Sequence, residues 1–148
     1  MSHRLLVILH LLGAAVWVGG HLVLCLSVLP RALRTRDPGP VREFEGGFER
    51  IGIPALVLQV VTGVVLALRW APDPSTWLWP TTPAAGLVRI KLALLATTIL
   101  LAIDARLRLV PHLDAPRLPA LVWHIVAVTV IAVTMLVVGV GIRTGGLW

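Results

Sequence analysis

The chain has 148 residues, of which 57% are hydrophobic and only 14% are charged, and its mean hydropathy is +0.92. Ordinary soluble domains are far less apolar, so this composition excludes a soluble domain and predicts a membrane domain. The net charge of +6 comes mainly from arginine, since twelve of the thirteen basic residues are Arg. These arginines cluster at the ends of apolar stretches, which is typical of the flanks of membrane helices and not of a nucleic-acid-binding surface.

Four apolar stretches are long enough to cross a bilayer, which takes about 20 residues. They run approximately over residues 5–29, 51–70, 86–109 and 119–142. The first stretch is too long for a signal peptide and no small-residue cleavage site follows it, so we expect it to be retained. Residues 1–148 are therefore predicted to form a single all-α domain, an integral membrane four-helix bundle with up-down topology.

The distribution of basic residues predicts the orientation of the bundle. Eight arginines lie in the first and third connections, and five basic residues lie towards the other side. The positive-inside rule then places both termini and the second connection on the periplasmic side of a bacterial inner membrane. Residues 31–50 mix Arg with Glu and are predicted to be a solvated amphipathic connection. The tryptophans expected in an outer aromatic belt are Trp70, Trp77, Trp79 and Trp148.

Three histidines lie inside the predicted membrane helices, His10 and His21 in the first and His124 in the fourth. A titratable side chain in hydrocarbon is costly unless it is paired or bound to something. Imidazole is also a common ligand of metal ions and of haem iron. For each histidine the simpler alternative is a hydrogen bond to the backbone of a neighbouring helix. A proton relay is disfavoured because the helices lack a chain of carboxylates.

The spacing of these residues suggests how they pair. His10 and His21 are eleven residues apart, so they share a helix face about 16 Å apart. His124 and Met135 have the same spacing. If the first and fourth helices pack antiparallel, the residue numbers of any two facing residues at equal depth add up to the same value. This value is 145 both for His21 with His124 and for His10 with Met135. This register predicts two ligand pairs in a bundle that holds haem between facing helices.

Lys91 is a further candidate, because it lies near the outer end of the third predicted helix at about the depth of His10. Its long side chain could carry the ammonium to the membrane surface. It is alternatively an iron ligand opposite His10 or a partner for a haem propionate, and the latter role is also open to Arg69 and Arg89.

The remaining polar residues of the helices suggest structural roles. Asp104 lies four residues before Arg108 and is predicted to form an ion pair within its helix. Four other side chains are expected to form hydrogen bonds between helices: Gln59, Thr62, Thr97 and Thr98.

Several motifs resemble the CopD family of copper-resistance membrane proteins. The resemblance begins in the first helix, with His10, Trp17 and Gly20 in the segment HLLGAAVWVGG. It continues in Phe48-Glu49-Arg50 with Thr62-Gly63, and in the segment RIKLALL around Lys91. The rest of the chain resembles the short, single-domain members of the CopD family. This similarity lies in Trp123-His124, Gly139, Gly141, Gly145 and Gly146.

The first-helix motif and Lys91 also resemble HemJ, a family of haem-binding protoporphyrinogen oxidases of similar size. In that family a first-helix His and a third-helix Lys are associated with haem, which implies such roles for His10 and Lys91. The chain lacks HemJ's other loop patterns, so the CopD family is the closer relative. Membership of that family implies copper handling.

The residues and the family point to different metals. Cu(I) prefers thiolates and thioethers, and the helices offer only Cys25 and Met135, whereas three intramembrane histidines suit b-type haem better. The leading hypothesis is an inner-membrane CopD-like protein that binds b-type haem or copper through His10, His21 and His124. It would act in electron transfer or copper homeostasis. The alternatives are a copper permease without haem, a HemJ-like haem-dependent oxidoreductase and a structural subunit of a membrane complex. The expected partners are the bilayer and either a second copy of the chain or a membrane redox protein.

Overall fold

A computed structural model describes residues 2–144, and this part of the chain is almost entirely helical. Each of its four long helices is long and apolar enough to cross a membrane, which confirms the all-α fold class with four candidate membrane helices. The predicted roles of Gly145, Gly146 and Trp148 lie outside the described residues. The four helices are α1 His3–Thr35, α2 Gly39–Trp70, α3 Pro83–His112 and α4 Ala115–Thr144. A single helical turn, Ser75–Leu78, lies between α2 and α3.

The first connection is much shorter than predicted. Only residues 36–38 join α1 to α2, and the charged segment predicted to be a solvated connection is helical. Arg36 has a left-handed backbone with φ of 51°, and its N–H bonds to the carbonyls of Ala32 and Leu33, which ends α1. The carboxylate of Asp37 accepts a 2.8 Å hydrogen bond from the N–H of Gly39, which begins α2. A helix of 32 residues is about 48 Å long, so α2 is longer than the hydrocarbon core and its charged start need not lie within it.

Two helices continue through a proline at which the sequence predicts an end. A π-helical segment, Leu24–Val28, precedes Pro30 in α1, and a second one, Ala105–Leu109, precedes Pro111 in α3. The residue after each segment donates to a carbonyl five residues back. Proline usually breaks a helix because it lacks an N–H and its ring crowds the carbonyl four residues earlier. The wider π turn makes room for the ring.

The first and third connections meet at one end of the bundle, called here the closed end. Its apolar core comprises Leu24, Leu29, Ala32, Val41, Leu113, Leu118, Leu121 and Ile125. The guanidinium of Arg42 donates to the carbonyl of Leu113. Arg106 of α3 binds both carboxylate oxygens of Glu49 in α2, at 2.8 and 2.9 Å. These contacts join all four helices at this end.

The most extensive helix–helix contact is between α1 and α2, and glycine makes it possible. A Cβ atom at Gly13 would lie 2.8 Å from the carbonyl oxygen of Ala55, and the ring of Phe48 lies directly against Gly20. Small residues of this kind let helix backbones approach each other closely. By contrast, α2 and α3 touch only slightly. The bundle is therefore tightly joined at α1–α2 and open between α2 and α3.

We predict that Gly13→Ala lowers the free energy of unfolding by about 1–3 kcal/mol, because the new methyl group must push the α2 backbone away. Gly19→Ala is the matched control in the same helix, since a Cβ atom there meets nothing within 4 Å. It should be neutral or stabilise the protein by about 0.5–1 kcal/mol. Thermal unfolding in detergent measures both, and equal melting temperatures for the two variants would contradict this packing.

Candidate cofactor cavity

A cavity of about 540 Å³ lies between the four helices, towards the end opposite the closed end. Three of the five predicted site residues line it: His10, Lys91 and Met135. Among the α1 residues that line the cavity, Trp17 is nearest the closed end. Trp70 and Trp77 line the part of the cavity farthest from the closed end. The wall is mostly apolar. The structure therefore brings together the imidazole of His10, the ammonium group of Lys91 and the thioether of Met135 from three different helices, and a second imidazole, that of His3, also lines the cavity.

His10 is held in one orientation by α2. Its Nδ1 lies 2.9 Å from the carbonyl oxygen of Gln59 and 3.1 Å from Oγ1 of Thr62. The Thr62 hydroxyl donates to the carbonyl of Leu58 at 2.6 Å, so its oxygen is free to accept from His10. Two acceptors at Nδ1 assign the proton to that nitrogen and leave the lone pair on Nε2. Histidines that bind metals are oriented in the same way, with the other ring nitrogen donating to a carbonyl or carboxylate.

Glycines make room for both polar side chains. A Cβ atom at Gly63 would lie 3.0 Å from Cε1 of His10, and one at Gly139 would lie 3.2 Å from Nζ of Lys91. Lys91 is half-buried and close enough to His10 to interact with it electrostatically. Gly63 on α2 therefore lets the His10 side chain pack closely against that helix, and Gly139 on α4 does the same for Lys91.

Gln59, for which the sequence predicted a hydrogen bond between helices, contributes a polar atom to the cavity, a role that the sequence did not predict. Its side chain lines the cavity, and Oε1 is buried with no hydrogen-bond partner among the described residues. Buried polar atoms in folded proteins nearly always have a partner. Gln59 Oε1 therefore marks a position where a bound molecule or water would donate a hydrogen bond.

His21 lies beyond the cavity, towards the closed end. Its Nδ1 is 2.8 Å from the carbonyl oxygen of Trp17, and its ring is 4.5 Å from the Trp17 ring and edge-on to Phe48. The backbone carbonyl of His21 accepts a 3.4 Å hydrogen bond from Thr129. Thr129 is five residues beyond His124, so the contact between α1 and α4 is displaced from the predicted register.

His124 contacts α3. Its Nε2 lies 3.0 Å from a carboxylate oxygen of Asp104, and its Nδ1 lies 3.1 Å from the carbonyl oxygen of Ala120. Both ring nitrogens therefore face oxygen acceptors. Asp104 also lies 3.3 Å from Nε of Arg108, which confirms the predicted ion pair. A signal for the His124 contact was present in the sequence, because Asp104 and His124 lie ten residues on either side of Asp114 in the third connection.

The threonines differ from one another. The predicted contact between helices is confirmed for Thr62, whereas Thr97 and Thr98 donate to carbonyls of their own helix, those of Ala93 and Leu94. Among residues 2–144 there is no group of three or more His, Cys, Asp or Glu side chains placed to hold a metal ion. A metal in the cavity would thus need ligands besides these residue types.

The fold and the cavity define a multi-pass membrane protein of four helices with a cofactor-sized cavity among them. The family model for CopD, copper resistance protein D, matches residues 42–142, and the chain belongs to this family of copper-resistance-related membrane proteins. The match includes Lys91, His124 and Met135, while His10 and His21 precede it. No curated protein and no solved structure matches the chain.

We predict that His10 carries its proton on Nδ1. The ¹⁵N chemical shifts of histidine-labelled protein should show one imidazole with a protonated Nδ1 and an unprotonated Nε2, and this signal should disappear in His10→Ala. Thr62→Val removes one of the two acceptors at Nδ1 and should shift the Nδ1 resonance without changing the tautomer, because Gln59 still accepts. A protonated Nε2 at His10 would contradict the assignment.

The contact of Asp104 with His124 should matter more for stability than its ion pair with Arg108. Asp104→Ala removes both contacts, and we expect it to lower the free energy of unfolding by about 1–2 kcal/mol, since hydrogen bonds to charged groups are stronger than average but this pair is partly exposed. Arg108→Ala removes only the ion pair of a largely exposed side chain and should cost less than about 0.5 kcal/mol. Equal losses in chemical unfolding would rule out a stabilising role for the contact with His124.

Proposed function

We propose that this CopD-family protein binds b-type haem in the cavity through Nε2 of His10 and takes part in electron transfer linked to copper homeostasis. The observation that carries the proposal is the orientation of His10, whose Nδ1 is held by Gln59 and Thr62 while Nε2 keeps its lone pair. The cavity volume of about 540 Å³ lies within the usual range for bound organic ligands and cofactors and far exceeds the needs of a single ion.

The lining residues fit haem in their chemistry. The apolar wall suits a macrocycle, and Lys91 and Arg143 provide positive charge for propionates. Met135 and Lys91 are both chemically able to serve as a second axial ligand. Haem would supply a one-electron couple, while the chain orients the imidazole and excludes water from the ring. A membrane redox protein or a second copy of the chain would then exchange electrons with the site.

We also infer an up-down bundle in the bacterial inner membrane with both termini on the periplasmic side. Two observations support this inference. Eight of the thirteen basic residues lie in or near the first and third connections, and the contact of Arg42 with Leu113 links the start of α2 to the third connection. The positive-inside rule assigns such an end to the cytoplasm. The cavity would then lie in the periplasmic half of the membrane.

His21 and His124 have packing roles in this proposal. His21 lies beside Trp17 and Phe48 and is not among the residues that line the cavity. Both ring nitrogens of His124 lie against oxygen atoms of Asp104 and Ala120, and His124 does not line the cavity. Each of these histidines would therefore help to hold helices together, through Phe48 and Asp104 and not through the hydrogen bond to a neighbouring helix backbone that the sequence left open.

A copper ion is the second candidate, and its support is the family together with Met135. The thioether of Met135 and the imidazole of His10 line the same cavity, and thioethers favour Cu(I). In this alternative the protein is a copper permease, and the two side chains bind the copper ion transiently. A HemJ-like oxidase would use His10 and Lys91, which also line the cavity.

The proposal predicts a haem spectrum that depends on His10. Purified wild-type protein reduced with dithionite should show sharp α and Soret bands, and His10→Ala should lose at least about tenfold in haem occupancy, since even partners of metal ligands are worth 10–100-fold in affinity. His124→Ala is the control and should retain the spectrum. Haem bands that persist unchanged in His10→Ala would contradict the proposed ligand.

The same variants separate the alternatives. A colourless wild-type protein that binds stoichiometric copper, and loses it in His10→Ala and Met135→Leu, would replace haem with copper. Oxidation of a porphyrinogen by wild type but not by Lys91→Met would favour the HemJ-like activity. A protein that binds neither haem nor copper would leave a structural subunit as the remaining reading and overturn the proposal.

A further inference from the structure

Lys91 has no counter-ion among the residues that the structure describes, although it lies inside a membrane protein. Its ammonium lies beside Gly139 in the cavity, well within the span of α3. Within residues 2–144, no Asp or Glu forms a salt bridge with it, and none lines the cavity. A charge in a low-dielectric environment is costly unless it is paired. The structure therefore provides a positive charge that favours an anionic ligand.

The positive charges of the cavity lie towards one end of it, and the lining towards the other end is mainly apolar. Arg143 lines the cavity nearer the end of α4 and adds a second positive charge on that side. Towards the closed end the lining is mainly apolar, with Trp17, Leu56 and Leu95, and it includes Thr98, whose hydroxyl donates to the carbonyl of Leu94. A ligand that matches both parts has an anionic group at one end and an apolar body that extends towards Trp17.

The bundle is most open where a molecule from the bilayer can enter. The contact between α2 and α3 is slight, while both helices contribute apolar residues to the cavity wall, among them Val60 and Val64 on α2 and Leu92 on α3. Val64 is also 39% exposed. A hydrophobic molecule entering between these helices would contact these apolar side chains of the cavity wall.

We propose that the cavity takes an amphipathic organic anion directly from the bilayer, between α2 and α3, and that Lys91 pairs with its anionic group. This inference rests on the proposed function only in taking the same cavity as the binding site, and it needs no metal at His10. A long-chain carboxylic acid and b-type haem with its propionates are both members of this class of ligand.

The test compares a brominated long-chain fatty acid with its methyl ester, using metal-free protein in a neutral bilayer and alkaline buffer. Bromine quenches tryptophan fluorescence on contact, and Trp17, Trp70 and Trp77 line the cavity. Wild-type protein should bind the acid about tenfold more tightly than the ester. This ratio of dissociation constants is what one hydrogen bond to a charged group contributes. Lys91→Met should abolish this preference, and Lys91→Arg should keep it.

Arg4→Met is the matched control, because Arg4 is an exposed cation at the same end of the bundle and is not among the residues that line the cavity. It should leave the preference unchanged. Equal binding of acid and ester by wild type, or a preference that survives in Lys91→Met, would overturn the proposal. Preference for the ester would assign the cavity to neutral lipids and would overturn it as well.

His10→Ala separates this inference from the haem proposal. It should lose haem and yet retain the preference for the acid, because the anion is recognised by Lys91. In protein loaded with haem, the acid should no longer quench the lining tryptophans if both ligands occupy the cavity. Quenching with an undiminished preference in the loaded protein would place the anion elsewhere and contradict the proposal.

Discussion

The close contact between α1 and α2 is the constraint on which the cavity depends. Gly13 lets the α1 backbone approach the carbonyl of Ala55, and Gly20 accepts the ring of Phe48. At that separation the imidazole of His10 reaches the carbonyl oxygen of Gln59. With α1 held against α2 and α3 held against α4, little contact remains between α2 and α3. The same packing thus fixes the orientation of His10 and leaves room for a ligand.

Most of the fold follows from hydropathy and charge, and the exceptions have local causes. Runs of about 20 apolar residues predict the four spans because lipid requires internally satisfied backbone groups, which a helix provides. The ends are less predictable. Pro30 and Pro111 normally indicate where a helix stops, yet a π-helical turn before each proline removes the clash. Hydropathy predicts that the second helix begins near residue 51, whereas α2 begins at Gly39 and includes the charged segment before it.

Only part of the site was predicted from the sequence, because helical spacing gives the depth of a residue in the bundle but not the atoms that it contacts. Helical spacing predicts that His10 and Met135 lie at equal depth; the register between α1 and α4 is displaced from that prediction, yet both residues line the cavity with Lys91. Spacing does not reveal which atom each nitrogen meets. His124 meets Asp104 across the α3–α4 connection, and His21 meets the carbonyl of Trp17 in its own helix. For Gln59 the sequence predicted a hydrogen bond between helices but not a place in the site, because that place depends on a backbone carbonyl and a buried amide.

Pulsed EPR of the metal-loaded, oxidised protein with ¹⁵N-labelled histidine tests most directly the claim that His10 is the metal ligand of the cavity. We expect nuclear coupling to one imidazole, which disappears in His10→Ala and remains in His21→Ala and His124→Ala. Coupling that survives in His10→Ala, or that disappears only when His124 is replaced, would contradict it.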